Sequence, residues 1–210
     1  MSNHPKIIFA ASMPRSGSTW LFNVARILLE SQPENKDKIT TGFIGDFPSL
    51  QLKPLMLIKI HDFIPGLIEH VAKVFYSYRD LRDVLASRSR MFNVEPSMQQ
   101  ADNFIKQHEI WMKHSNFTMK YEDMKANKEL IVSGLAKSLG IENFSAPKII
   151  EGVDKLKYES GKTFDDKNHY HPGHITDGRH GSWENIVSES LEKELLDKYH
   201  DWFKSHGYID

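Results

Sequence analysis

Three short groups of residues carry most of the chemistry in this sequence. The first is Ser12-Met13-Pro14-Arg15-Ser16-Gly17-Ser18-Thr19, which lies between an apolar run and a helical pattern. Such a loop turns backbone N–H groups outward at a helix N-terminus, where the helix dipole also favours an anion. Ser16, Ser18 and Thr19 add hydroxyl donors, and Arg15 adds a fixed positive charge. The second group is Lys59-Ile60-His61. Two residues apart on a strand, Lys59 and His61 share a face, joining a cation to a base that titrates near neutral pH. The third is Arg79, just past the end of another strand pattern. An arginine at a strand end can make two parallel hydrogen bonds to phosphate oxygens. Each group also has a plainer reading by itself. These are an N-capping turn, a strand-end histidine meeting solvent, and a solvated helix start of alternating charge.

The first loop has the layout of a Walker A phosphate loop, with Gly17 and Thr19 at two key positions, but it departs in an informative way. The lysine of a nucleotide-triphosphate loop is replaced by Ser18, the opening glycine by Ser12, and the basic side chain has moved to Arg15. Such a loop suits a monophosphate-sized anion better than a metal-bound triphosphate.

Pro14-Arg15-Ser16-Gly17-Ser18-Thr19-Trp20-Leu21 resembles the 5′-phosphosulfate loop of the sulfotransferases that use PAPS (3′-phosphoadenosine 5′-phosphosulfate), usually written PKSGTTWL. The resemblance places the family's catalytic lysine on Arg15 and implies that Arg15 stabilises charge on the leaving 5′-phosphate. Arginine keeps the charge and adds a planar fork, but it is a poorer proton donor. Lys59-Ile60-His61 is similar to the family's Lys-x-His element, which makes His61 the general base and Lys59 the contact to the sulfonate. Asp62 follows, where an apolar residue is common, and is expected to raise the histidine pKa.

Arg79-Asp80-Leu81-Arg82-Asp83-Val84-Leu85-Ala86-Ser87 is similar to the family's RDPRDVAVS, which implies that Arg79 and Ser87 bind the 3′-phosphate. Tyr121-Glu122-Asp123-Met124 looks like its YEDL element, with Tyr121 at the adenine and Trp20 a second ring against the base. Gly178-Arg179-His180-Gly181-Ser182-Trp183 resembles an abbreviated form of its late RKGxxGDW loop. There Arg179 and the backbone N–H groups of His180 and Gly181 are the expected 3′-phosphate contacts. The resemblance covers residues 6 to 190 in five elements that keep the family's order. It implies transfer of a sulfonate from PAPS to a hydroxyl or amine of a small-molecule or saccharide acceptor, with PAP as product.

These groups need elements to hold them. Lys6–Ala11, Leu55–Ile60, Lys73–Tyr78 and Phe117–Tyr121 read as buried strands. Helical spacing covers Ser18–Leu29, Asp80–Arg90, Ser97–His114, Lys128–Leu139 and Ser190–His206, with a short helix at Ile64–Val71. Residues 31–53 and 158–182 read as irregular. Strands alternating with helices imply an α/β fold: a P-loop-like parallel sheet with helices on both faces, as one domain over residues 1–210. Ligands of such sheets bind beyond the carboxyl ends of the strands, where each group falls.

Composition sets the outer bounds. The chain has 210 residues, and a formal net charge of −1 gives no bulk pull toward nucleic acid or membrane, so an anionic ligand needs a local basic site. Cysteine is absent, which removes disulfides and thiolate metal sites. The first apolar run, Ile7 to Ala11, is too short for a signal-peptide core or a membrane span, and a cytoplasmic location is expected. His169, His171, His174 and His180 crowd one loop, but their spacing matches no recognised zinc site and no metal is expected. Two other functions stay open at this level: a small P-loop kinase and a non-catalytic PAP-binding protein. The acceptor pocket is expected from residues 31–53 and 91–100, with Phe43, Phe47, Phe63, Met91 and Phe92 as apolar walls. Oligomeric state is not legible.

Overall fold

The computed structural model describes residues 6–35, 38–47, 53–158, 164–173 and 177–210. Its centre is a sheet of five parallel strands: β1 (Lys6–Ser12), β2 (Ile39–Phe43), β3 (Leu55–Ile60), β4 (Val71–Tyr78) and β5 (Phe117–Lys120). Their spatial order is β2-β3-β1-β4-β5. The inner strands are near-continuous apolar runs because both faces are covered. Ile8 and Ala10 of β1 and Leu55 and Leu57 of β3 face one core. Helices α1 (Ser18–Glu30), α5 (Tyr121–Ala126), α6 (Lys128–Leu139) and α7 (Ala146–Asp154) pack over it. The alternate residues, Ile7, Phe9, Met56 and Ile58, face a second core. That core is covered by α3 (Leu81–Phe92), α4 (Met98–His114) and α8 (Glu189–Ser205).

The chain leaves β1 into α1 on the first face. It leaves β3 through Phe63 and the short helix α2 (Pro65–Ile68), and β4 through α3, on the second face. Neighbouring strands that exit to opposite faces open a crevice above their carboxyl ends, and this is where α/β sheets bind ligands.

Most expected elements form within one or two residues of their predicted bounds. The differences have local causes. Residues 31–53 are not wholly irregular, because Ile39–Phe43 pairs with β3 as an edge strand; its Thr-Thr-Gly centre hid the pattern. Tyr121 opens α5 instead of ending β5. The short helix ends at Ile68, since Val71 already pairs with β1. α7 escaped the sequence reading, with only Ile149 and Val153 buried on its inner side.

Candidate functional site

The crevice holds a cavity of about 790 Å³. The first loop, the end of β3, the end of β4 with α3, and Tyr121 after β5 all line it. Among the sequence-predicted residues, Arg15, Gly17, Ser18, Lys59, His61, Arg79, Ser87 and Tyr121 are on its wall. Groups up to 106 residues apart in sequence, from Arg15 to Tyr121, therefore meet around one space.

The loop from Met13 to Gly17 is held under strain. Gly17, at the N-cap of α1, has φ +82°, and a Cβ built there would sit 3.1 Å from the Tyr121 ring. Glycine meets both demands, the left-handed backbone and the close approach of α5. Arg15 also has positive φ, at 64°, a conformation that non-glycine residues keep only when the surroundings impose it. Ser16 supplies part of that constraint. Its hydroxyl is fully buried, 2.6 Å from the Met13 carbonyl and 3.0 Å from the Ser77 carbonyl on β4. The expected hydroxyl donor at Ser16 is thus turned into the sheet, because the turn must be tied to β4. Thr19 is likewise buried, and its hydroxyl accepts a 2.6 Å hydrogen bond from Lys59 Nζ. Of the three hydroxyl residues, Ser18 reaches the cavity wall.

Lys59, 7% exposed, and His61 stand together at the end of β3, as the alternation required. Burial and the neighbouring Arg15 push the Lys59 ammonium down to about 7. His61 Nδ1 lies 2.7 Å from Ser12 Oγ and 3.3 Å from the Ser12 carbonyl oxygen. A carbonyl only accepts, so the tautomer with the proton on Nδ1 satisfies both contacts and leaves Nε2 with a lone pair. Trp111 of α4 donates to the His61 carbonyl at 2.8 Å and fixes its backbone. Burial first, then Lys59, pushes His61 down to about 4. The upward pull expected from Asp62 does not prevail: that carboxylate is exposed, where water screens it. Ser12, noticed in the sequence only as a missing glycine, proves to be the partner that orients the imidazole.

Arg79 is 2% exposed, with its guanidinium over the Tyr121 ring at 4.2 Å. It donates to the Arg179 carbonyl at 2.5 Å and lies 3.3 Å from Asp83. Arg15 Nε donates to Ser87 Oγ at 3.1 Å, so the first loop and α3 meet across the cavity. Burial and then Arg79 push the Arg15 guanidinium below its ordinary range. The Tyr121 hydroxyl donates to the Gly178 carbonyl at 3.0 Å, closing the late loop over that side. Trp20 is buried in the first core, and its Nε1 has no partner among the described residues.

The late loop is built differently from its expectation. The Arg179 guanidinium is exposed and held by Asp177 at 2.6 and 2.9 Å. The Gly181 N–H donates to Asp83 at 3.0 Å, and His180 leans on Asp83 and Glu122 at 3.5 and 3.7 Å. Asp83 is fully buried in the first turn of α3 and draws these donors to itself. Arg179, His180 and Gly181 are therefore not among the described residues that line the cavity; Gly178 is. Asp83, Glu122 and His180 bring one ligand atom each within 4.8 Å of one another. His169 and His171 line the cavity separately, and His174 lies outside the described residues.

Beyond His61, Phe43, Asp46, Met91, Phe92, Gln99, Gln100 and Asn103 continue the cavity wall. All but Asn103 come from the two segments expected to form an acceptor pocket. Phe47 and Phe63 do not join them; they pack against the second core.

A family model described as "Sulfotransferase domain" matches residues 5–207. Cytosolic sulfotransferase 1 of Arabidopsis thaliana is 26% identical over 255 residues, covering 90% of this chain and 76% of that protein. Among solved structures, mouse sulfotransferase SULT7A1 complexed with PAP superposes with a TM-score of 0.65 at 16% identity, covering 95% of this chain and 85% of that one. Retinol dehydratase in a complex with retinol and PAP gives the same TM-score and identity, covering 97% and 83%. At that identity the two structures establish the fold.

Proposed function

As this chain belongs to the sulfotransferase family, we propose that it moves a sulfonate group from PAPS to a hydroxyl or amine of a small-molecule or saccharide acceptor, releasing PAP. The observation that carries the reading is the shared cavity: the strained anion loop, the Lys59–His61 pair and the Arg79–Ser87 pair line one space. A donor with phosphates at both the 5′ and 3′ positions needs two cationic cradles, and these residues supply them. The PAP in the two neighbouring structures supports the same donor.

In this reading the 5′-phosphosulfate lies on the loop amides of residues 15–18, with Arg15 across it. Arg79 and Ser87 take the 3′-phosphate, and the ring of Tyr121 borders the adenine, with Trp20 in the core behind the loop. The late loop acts through the Arg179 and Gly178 carbonyls, which hold Arg79 and Tyr121, and not through the Arg179 guanidinium. His61 Nε2 takes the acceptor proton as the acceptor oxygen or nitrogen attacks sulfur. The bond from sulfur to the bridging oxygen of the 5′-phosphate breaks, and its electron pair stays on that phosphate. Lys59 offsets charge on the sulfonate oxygens, and Arg15 offsets charge on the leaving phosphate. The anionic phosphosulfate also restores charge to Lys59, whose buried ammonium is otherwise depressed. No helix among the described residues is long and apolar enough to cross a membrane. A cytoplasmic location for the single 1–210 unit belongs to this proposal, supported by the relative named as a cytosolic sulfotransferase.

The test is calorimetry with PAP and with ATP, followed by a screen of phenols, alcohols, amines and saccharides with radiolabelled PAPS. PAP binding and label transfer are expected. A chain that prefers ATP, or transfers phosphate from it with magnesium, refutes the reading.

A further inference from the structure

His169 lines the cavity and has no part in the chemistry above. It is 6% exposed, and its Nε2 has no hydrogen-bond partner among the described residues. A buried ring nitrogen left unpaired is costly, so its retention calls for an explanation. The backbone is unusual as well: φ is +57°, in the left-handed region that a histidine seldom occupies.

Several contacts hold it there. The Asp165 carbonyl accepts the His169 N–H at 2.9 Å, while Asp165 Oδ1 accepts from the Lys167 and Asn168 amides at 3.0 and 2.9 Å. The neighbouring Asn168 carbonyl accepts from Asn23 Nδ2 at 2.8 Å, and the same amide group donates to the Thr19 carbonyl at 2.8 Å. Thr19 in turn accepts from Lys59. The imidazole also packs edge-on against Phe22 of α1, ring centroids 4.9 Å apart. A continuous set of bonds therefore fixes His169 relative to the lysine that faces the moving group. The electrostatics agree. Burial, and after it Lys59, pushes His169 down to about 4, so the ring is neutral near pH 7 and feels that ammonium.

We propose that His169 contacts the substrate, donating a ring N–H to a sulfonate oxygen of the donor beside Lys59. A neutral imidazole always carries one N–H, and a sulfonate offers only acceptors, so the pairing needs no change of protonation. The assignment rests on the sulfonate-transfer reading above, and it separates two ligands that differ by one group. PAP lacks the sulfonate; PAPS has it.

The test needs no acceptor. PAP and PAPS affinities are measured by calorimetry on the full chain and on His169→Phe, His169→Asn and His169→Gln, with thermal melts run beside them. Phenylalanine keeps the packing on Phe22 but cannot donate; asparagine suits the left-handed backbone but ends short; glutamine restores a donor at about the same reach. PAPS binding is expected to weaken roughly 10- to 100-fold in the first two, with PAP binding changed less than about twofold and glutamine recovering most of the loss. If the phenylalanine variant does not fold, the asparagine variant decides. Folded variants that bind PAPS like the parent, or that lose PAP and PAPS equally, overturn the assignment. A parent chain that binds neither ligand refutes the sulfonate-transfer reading itself, a result distinguishable from the other two.

Discussion

The loop after β1 and the loop at Gly178–Trp183 both read, in sequence, as phosphate-binding segments, yet they are built for different tasks. The first is clamped between two strands and a helix: Ser16 bonds to β4, Gly17 meets Tyr121, and Arg15 reaches Ser87. Its backbone therefore has one conformation, and its position follows from the sheet. Among the described residues no strand leads into the second. Its donors go to the carboxylates of Asp177 and Asp83, while its carbonyls reach Arg79 and Tyr121. A motif on a strand end keeps its orientation because the hydrogen-bond ladder fixes it. A motif on a free loop is open to capture by local charge.

The sharpest way to break this contrast is to remove His61, the proposed base at the strand end. His61→Ala is expected to lower turnover roughly 100- to 10,000-fold, the usual range for a general base, while PAP affinity stays near that of the parent. Label transfer from PAPS and PAP calorimetry measure the two quantities; a loss of affinity equal to the loss of rate would make His61 a binding residue.

Next in size is the arginine pair. Arg79→Ala is expected to weaken PAP about 10- to 100-fold, and to lower the melting temperature because Asp83 is left buried beside a missing partner. Arg179→Ala is expected to leave PAP affinity within about twofold, because its guanidinium is an exposed partner of Asp177. Equal losses at both positions would erase the distinction between the two loops.

A third effect is graded with pH. Lys59 sits at about 7, and the sulfonate of a bound donor raises it, so the charged form binds PAPS more tightly. Binding then takes up a proton above pH 7, and affinity falls as pH rises from 7 to 9, by at most about tenfold per unit. Lys59→Met is expected to bind more weakly and to flatten the slope. Calorimetry in buffers of different ionisation enthalpy measures the proton uptake directly, and an unchanged slope in the variant would remove Lys59 from the cradle.

The smallest effect concerns the loop's own geometry. Gly17→Ala places a Cβ at φ +82° and 3.1 Å from the Tyr121 ring, at an expected cost of about 1–3 kcal/mol in stability. A thermal melt checks it. A variant as stable as the parent would mean that the loop is not clamped as described.

Local pattern was enough for the inner sheet. Strands such as Leu55–Ile60 are buried on both faces, and an unbroken apolar run of that length has few other fates. Once they are placed, Lys59, His61 and Arg79 follow, because the pleat and the strand end decide where each side chain points. The edge strand Ile39–Phe43 was not legible in the same way, since an edge needs less burial and Thr-Thr-Gly carries little signal. Nor were Ser12, Asp83 and His169 recognisable as working parts. Their surroundings come from distant parts of the chain: His61, 49 residues on, for Ser12; Gly181, 98 on, for Asp83; and Phe22, 147 back, for His169.

The sequence by itself determined that a Ser/Gly-rich loop, a lysine–histidine pair and an arginine stand at the carboxyl ends of parallel strands. The tertiary structure decided which hydroxyls and amides remain for a ligand, since buried polar groups must be paired and the nearest partner takes them. It also depressed Lys59 and His61, because only packing removes water from a charge.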